Sequence, residues 1–227
     1  MAERGAGSDR CTAGADRYFR VQGKCSLTIE PYAQPLLSLL LGYLLGSIPF
    51  GILLTRAFGA GDLRQIGSGN IGATNVLRTG RKGLAAATLV LDALKGAAAV
   101  LLARHLFPGG ETMAAAGALV GHLHPVWLKF EGGKGVATFF GILTALQWQV
   151  ALVYAAVWLL MLALTRYSSL AGMTAAVISP LASAFLGRFD LALLFLAFAL
   201  LVVWKHRGNV ERLLAGTEPQ VGRSRNA

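Results

Sequence analysis

Apolar residues in this chain come in blocks, at roughly 36–55, 83–107, 112–128, 135–147, 149–165, 168–187 and 189–204. About 20 residues of helix cross the hydrocarbon core of a bilayer. Backbone in that medium must satisfy its own hydrogen bonds, which leaves helices and closed barrels as spanning structures. None of the blocks alternates apolar and polar residues as a barrel strand does. The pattern therefore predicts an all-α integral membrane protein with seven transmembrane helices. The fourth block is short and meets the fifth at Gln147-Trp148-Gln149, so six spans plus a re-entrant hairpin is the second reading. Charged residues make up only 14% of the 227 positions and hydrophobic residues 55%, too little charge to cover a soluble domain of this length.

The net charge of +10 would suggest a nucleic-acid partner in a soluble protein. Here the cations sit in short connections between apolar blocks, where they set topology and meet anions, so no nucleic-acid partner is expected. With seven spans, Arg56, Arg64, Arg78, Arg81 and Lys82 share one side with Lys129, Lys134, Arg166, Lys205, Arg207, Arg212, Arg223 and Arg225. Only Arg104 and Arg188 fall in the connections opposite. The basic side is expected to be cytoplasmic, with the C-terminus inside and the N-terminus outside. Arg4, Arg10, Arg17, Arg20 and Lys24 in the N-terminal segment oppose that assignment. Residues 1–35 read as a polar, poorly ordered extension, 36–220 as the membrane domain and 221–227 as a tail. No apolar signal-peptide core follows the N-terminal cations. Cys11 and Cys25, both in the extension, suit either one bridge or two free thiols.

Three polar, glycine-rich stretches share the basic side, and such loops on a rigid scaffold commonly carry function. The first, Gly67 to Arg78, holds Gly67, Gly69 and Gly72, which let backbone N–H groups approach a ligand. Ser68, Asn70, Thr74 and Asn75 add neutral hydrogen-bonding groups, and Arg78 a rigid fork suited to phosphate. On its own this loop reads equally as an ordinary capped connection. In the second, Gly132-Gly133-Lys134-Gly135 precedes an apolar helix, whose N-terminus favours anions. The spacing of a nucleotide-binding P-loop is absent. His122 and His124 lack the further ligands a structural metal site needs, so no metal is expected and both read as interfacial, hydrogen-bonded histidines. The third runs from Trp204 to Pro219; His206 and Asn209 are three apart and would share one face of a continuing helix.

Within the blocks, Asp92 and Lys95 have the spacing of an ion pair on one helical face and read as a structural tie, with a proton relay as the lesser alternative. Ser168 and Ser169 suit a helix cap or a contact to the anion site. No nucleophile elbow or Ser–His–Asp order is evident, and no acid–histidine pair stands out.

The stretches 68–78, 121–138 and 206–219, together with Gly46-Ser47-Ile48-Pro49-Phe50-Gly51 and Asp92-x-x-Lys95-Gly96, resemble the PlsY family of bacterial acyl-phosphate:glycerol-3-phosphate acyltransferases. The resemblance spans about 36–220 and leaves the first 35 residues without a counterpart. It implies seven transmembrane helices in the bacterial inner membrane with a cytoplasmic active site. The implied reaction moves an acyl chain from acyl phosphate to the 1-hydroxyl of glycerol 3-phosphate, giving lysophosphatidic acid and phosphate, without cofactor or obligatory protein partner. By that resemblance Ser68 and Arg78 are essential and His206 and Asn209 support activity; Lys134 joins them as catalytic because its charge can neutralise phosphate and a developing oxyanion. The resemblance also implies that Gly132, Gly133 and Gly135 form, with Lys134, the glycerol-phosphate site, that Ser169 joins the phosphate contacts and that Glu218 is structural; the residues themselves offer Gly69, Asn70, Gly72, Thr74 and Asn75 for substrate binding and Asp92 with Lys95 as the structural tie. A transporter of a phosphorylated solute is the alternative; it would place its site near the midplane between repeated halves, and no internal repeat is visible.

Overall fold

The computed structural model describes residues 30–222; Cys11, Cys25 and most of the 1–35 extension lie outside them, as do Arg223 and Arg225. The described residues form helices joined by turns, with no strand among them. The first apolar block is not one helix. It splits into α1 (Glu30–Gly46) and α2 (Phe50–Ala57) at Ser47-Ile48-Pro49. Pro49 has no N–H to continue the ladder and bars helical geometry before it. Distant side chains reach two carbonyls at the break: Trp127 Nε1 donates to Ser47 O at 2.6 Å, and Lys95 Nζ to Ile48 O at 2.7 Å, which also accepts from Phe50 N–H at 3.2 Å. A short helix, α3 (Ala73–Leu77), follows the glycine-rich loop. Then come α4 (Lys82–Leu106), α5 (Glu111–Leu123), α6 (Val136–Leu146), α7 (Trp148–Thr165), α8 (Ser168–Phe185) and α9 (Phe189–Lys205), before the chain turns into α10 (Arg207–Leu214).

By length and apolarity the stretch 33–57, α4, α7 and α8 can each cross a membrane, and α9 joins them if counted with α10 across their 58° bend. At 1.5 Å per residue, α5 and α6 are about 20 and 17 Å long, short of a hydrocarbon core about 30 Å thick. The shortness of the fourth block is thus real, and α6 packs directly on α7 with Gln147 at the junction.

Small residues bring the helices together, the usual solution where lipid and side chains are equally apolar. Gly42 and Gly46 of α1 face Ala114 and Ala118 of α5; Gly117 and Gly121 of α5 face Leu39 and Tyr43 of α1. A Cβ at any of the four would come within 2.1–2.3 Å of a backbone carbonyl oxygen across the interface. Gly96 and Gly141 do the same between α4 and α6. The deepest core is aromatic: Phe139, fully buried, has the rings of Tyr154, Phe195 and Phe198 within 5.5–5.9 Å of its own. The outer surface remains apolar, with Leu152, Leu164, Leu181, Phe185 and Leu193 all exposed, as expected of a lipid-facing belt.

Candidate active site

Asn75 shapes the first loop. Its side chain is buried, and Nδ2 donates to the carbonyls of Leu63 and Ile66, both at 2.9 Å. Its Oδ1 accepts from Ser68 N at 3.3 Å and from Arg78 Nη1 at 3.4 Å. Arg78 lies over Gly67, whose φ of 57° suits glycine and where a Cβ would sit 2.8 Å from the guanidinium. Burial pulls Arg78 below its ordinary pKa against the pull of Glu218, but a guanidinium stays charged at neutral pH.

The second stretch is strapped to the end of α5. Gly132 N–H donates to Leu123 O at 3.2 Å and Gly133 N–H to His122 O at 3.0 Å. Gly135, at φ 85°, then turns the chain into α6. Lys134 leaves this turn towards Asn209 and donates to its Oδ1. Burial lowers the Lys134 ammonium to about 8, with Glu218 opposing and Arg212 and Arg78 reinforcing the shift.

The third stretch does not continue α9 as one helix. The chain bends at His206, yet both His206 and Asn209 end up buried. His206 Nδ1 is 2.8 Å from Val202 O, a contact that places the ring proton on Nδ1 and leaves Nε2 as an acceptor. Burial lowers His206 to about 4, so the ring is neutral at physiological pH. Glu218 folds back onto this group: its Oε1 accepts from Ser169 Oγ and Asn209 Nδ2, both at 2.6 Å, and its Oε2 from Arg212 Nε at 2.8 Å. Burial alone would raise this carboxyl; the three hydrogen bonds outweigh it and hold Glu218 below its usual range.

The three stretches meet around a cavity of about 100 Å³. Ser68, Asn70, Gly72, Thr74, Asn75, Arg78, Lys134, Gly135, Ser169, His206, Asn209 and Glu218 line it, and so does Asp92 from α4. Gly69, Gly132, Gly133 and Lys95 are not in the wall. Ser169, whose place in the sequence suits a helix cap or an anion contact, lines the cavity and donates its hydroxyl to Glu218. Asp92 and Lys95 form the anticipated ion pair at 2.7 Å, both buried.

Two features escape the sequence reading. His122 is no interfacial histidine: it is 4% exposed, lines the cavity, and its Nδ1 sits 3.7 Å from Asp92 Oδ1 without a hydrogen-bond partner. An acid and a histidine 30 positions apart in sequence therefore lie side by side from different helices, and no local spacing signals it. The second feature is an apolar groove of about 240 Å³ between α4, α6 and α7, lined by Val90, Phe140, Tyr154 and Leu159. It shares Leu89, Val136, Ala137 and Trp158 with the polar cavity, so the two spaces adjoin. Among the described residues no cluster of three metal-ligating side chains occurs.

A sequence profile of the family described as glycerol-3-phosphate acyltransferase matches residues 36–216. The glycerol-3-phosphate acyltransferase of Mesorhizobium japonicum is 64% identical over 187 residues, covering 82% of this chain and 96% of that protein. That of Rhodopseudomonas palustris strain BisB5 is 59% identical, covering 82% and 95%. Among solved structures, PlsY, an integral membrane glycerol 3-phosphate acyltransferase, superposes in its glycerol 3-phosphate form with a TM-score of 0.78 at 38% identity, covering 83% of this chain and 96% of that one. Its lysophosphatidic acid form gives 0.77 at 36% identity.

Proposed function

We propose a substrate pair and a mechanism from the premise that the chain belongs to the glycerol-3-phosphate acyltransferase family and is a multi-pass, all-helical membrane enzyme of that activity. The acyl donor is acyl phosphate, and the acceptor is the 1-hydroxyl of glycerol 3-phosphate. The hydroxyl oxygen bonds to the acyl carbonyl carbon, the bond from that carbon to the phosphate oxygen breaks, and the products are lysophosphatidic acid and inorganic phosphate.

One observation carries this reading. Cations and neutral donors from three separate stretches converge on one cavity, and that cavity runs into an apolar groove. A polar head with an acyl tail fits such a compound space, with the tail along Trp158, Phe140 and Leu159. The chemistry asks for little beyond placement, because a mixed anhydride is already activated. The obstacle is that both reactants are anions. Arg78 and Lys134, with the first turn of α6, offset their repulsion and stabilise the oxyanion that develops on the carbonyl. Ser68 and Asn209 orient the reacting groups. His206, neutral with Nε2 open to accept, orients the attacking hydroxyl, and a substrate phosphate oxygen takes its proton. Asn70, Gly72, Thr74, Asn75 and Gly135 complete the binding wall, while Gly69, Gly132 and Gly133 shape its turns. Asp92, Lys95, Ser169 and Glu218 hold the frame.

The excess of basic residues around the cavity supports a cytoplasmic site in the bacterial inner membrane, with seven spans and the C-terminus inside. Purified protein in detergent, given acyl phosphate and glycerol 3-phosphate, should release phosphate in stoichiometric yield with lysophosphatidic acid. Binding of glycerol 3-phosphate without turnover would instead favour the transporter. Turnover with acyl-CoA but not acyl phosphate would overturn the donor assignment.

A further inference from the structure

Lys134 and Gly135 face the cavity, but Gly132 and Gly133 do not; they lie against the end of α5. The backbone bonds to Leu123 and His122 fix the height of this turn. Its depth is set by a side chain. A Cβ on Gly133 would fall 2.2 Å from His122 Nε2, 2.8 Å from Cε1 and 3.1 Å from Cδ2, so the imidazole occupies the space beside that glycine. Behind the ring stands Asp92, with Oδ1 3.7 Å from Nδ1. Lys95 pins Asp92 at 2.7 Å and is itself anchored to Ile48 O at the break between α1 and α2. The ring is thus wedged between a fixed carboxylate and the glycine turn. Leaving the buried Nδ1 without a hydrogen bond has a cost, and a ring held for its shape accounts for it.

We propose that His122 is a positioning residue: its imidazole, backed by Asp92 and Lys95, buttresses the Gly132–Lys134 turn and sets where Lys134 and the start of α6 meet the phosphate of glycerol 3-phosphate. This rests on the reading that the turn binds that phosphate. The role is steric, and it makes an unusual demand on a pair of variants. Gly133→Ala drives a methyl into the ring, displaces the turn and raises KM for glycerol 3-phosphate by about 30-fold, with kcat within about threefold. His122→Ala removes the buttress and raises the same KM by about tenfold. The double variant settles at the level of His122→Ala, because the methyl enters the space the ring has left; independent effects would instead multiply to about 300-fold.

Gly132→Ala is the control. Its Cβ would meet the backbone oxygens of His122 at 2.2 Å and Leu123 at 2.7 Å, which trimming a side chain does not remove. His122→Ala must therefore leave the Gly132→Ala defect in place. A multiplicative double variant, or equal rescue of Gly132→Ala, overturns the buttress. Should Gly133→Ala alone give no folded protein, recovery of a monodisperse species in detergent by the second substitution reads the same relief, and no recovery overturns it. Lys134→Ala separates the two ideas: an unchanged KM for glycerol 3-phosphate would remove the phosphate assignment itself, whereas a raised one beside a multiplicative double variant removes only the role of His122.

Discussion

The two ends of the helix bundle handle polar side chains in opposite ways. At the end where α4 finishes and α5 begins, cations are met by acids or carbonyls. Arg104 donates to Ala145 O at 2.9 Å and lies 3.8 Å from Glu111, and Arg188 pairs with Asp190 at 2.9 Å. The Ser183 hydroxyl closes on Gln147 Oε1 at 2.7 Å. At the cavity end, Arg78 and Lys134 face the space without a carboxylate in ion-pair contact among the described residues; the nearby Glu218 is engaged by Arg212, Ser169 and Asn209. Asn70 Oδ1, in the cavity wall, is buried without a hydrogen-bond partner. Buried polar groups normally find partners, and this end keeps one unmatched beside two cations that have no counter-ion in contact. The far end is arranged around itself.

Substitutions at the two ends should therefore differ in kind, and Arg78 should show it most. Arg78→Ala is expected to lower kcat/KM by about a thousandfold or more, and Arg78→Lys to recover only part, since an ammonium lacks the planar fork. A loss below about tenfold would break the comparison at its strongest point.

Lys134 comes next. With its pKa lowered to about 8, it is protonated below that pH and loses its charge above it. KM for glycerol 3-phosphate should accordingly rise as pH climbs through about 8, and Lys134→Arg should flatten that rise, because guanidinium keeps its proton. A profile identical in both proteins would show that another group controls the limb.

Glu218→Gln tests the frame. It retains the shape but weakens the bond to Arg212 and two short hydrogen bonds. A stability loss of about 1–3 kcal/mol is expected in thermal unfolding in detergent, with activity falling about tenfold as Asn209 loosens. Activity lost without any change in unfolding would move Glu218 from the frame into the chemistry.

The smallest effect belongs to the far end. Ser183→Ala should cost about 1 kcal/mol of stability and change kcat/KM by less than about twofold. An activity loss matching that of the cavity residues would erase the distinction between the ends.

How much of this was legible beforehand depends on whether the signal was local. Apolar blocks announce helices because hydrophobicity and length are properties of one segment, and the positions of α4, α7, α8 and α9 follow closely from them. Ser68, Arg78, Lys134, His206 and Asn209 were visible as polar residues within glycine-containing stretches, for the same reason. What a residue touches is not a local property. The break at Ser47–Pro49 takes donors from elsewhere, Lys95 and Trp127. Ser169 turns to Glu218, and Asn75 spends its amide on its own loop. His122 meets both Asp92 and Gly133, and the apolar groove exists only where α4, α6 and α7 meet. The sequence alone determined that the chain is a helical membrane protein and marked three polar, glycine-rich stretches in it. Tertiary structure alone decided which of those residues face the cavity and which hold its walls, because partners far apart in the chain are brought together only by packing.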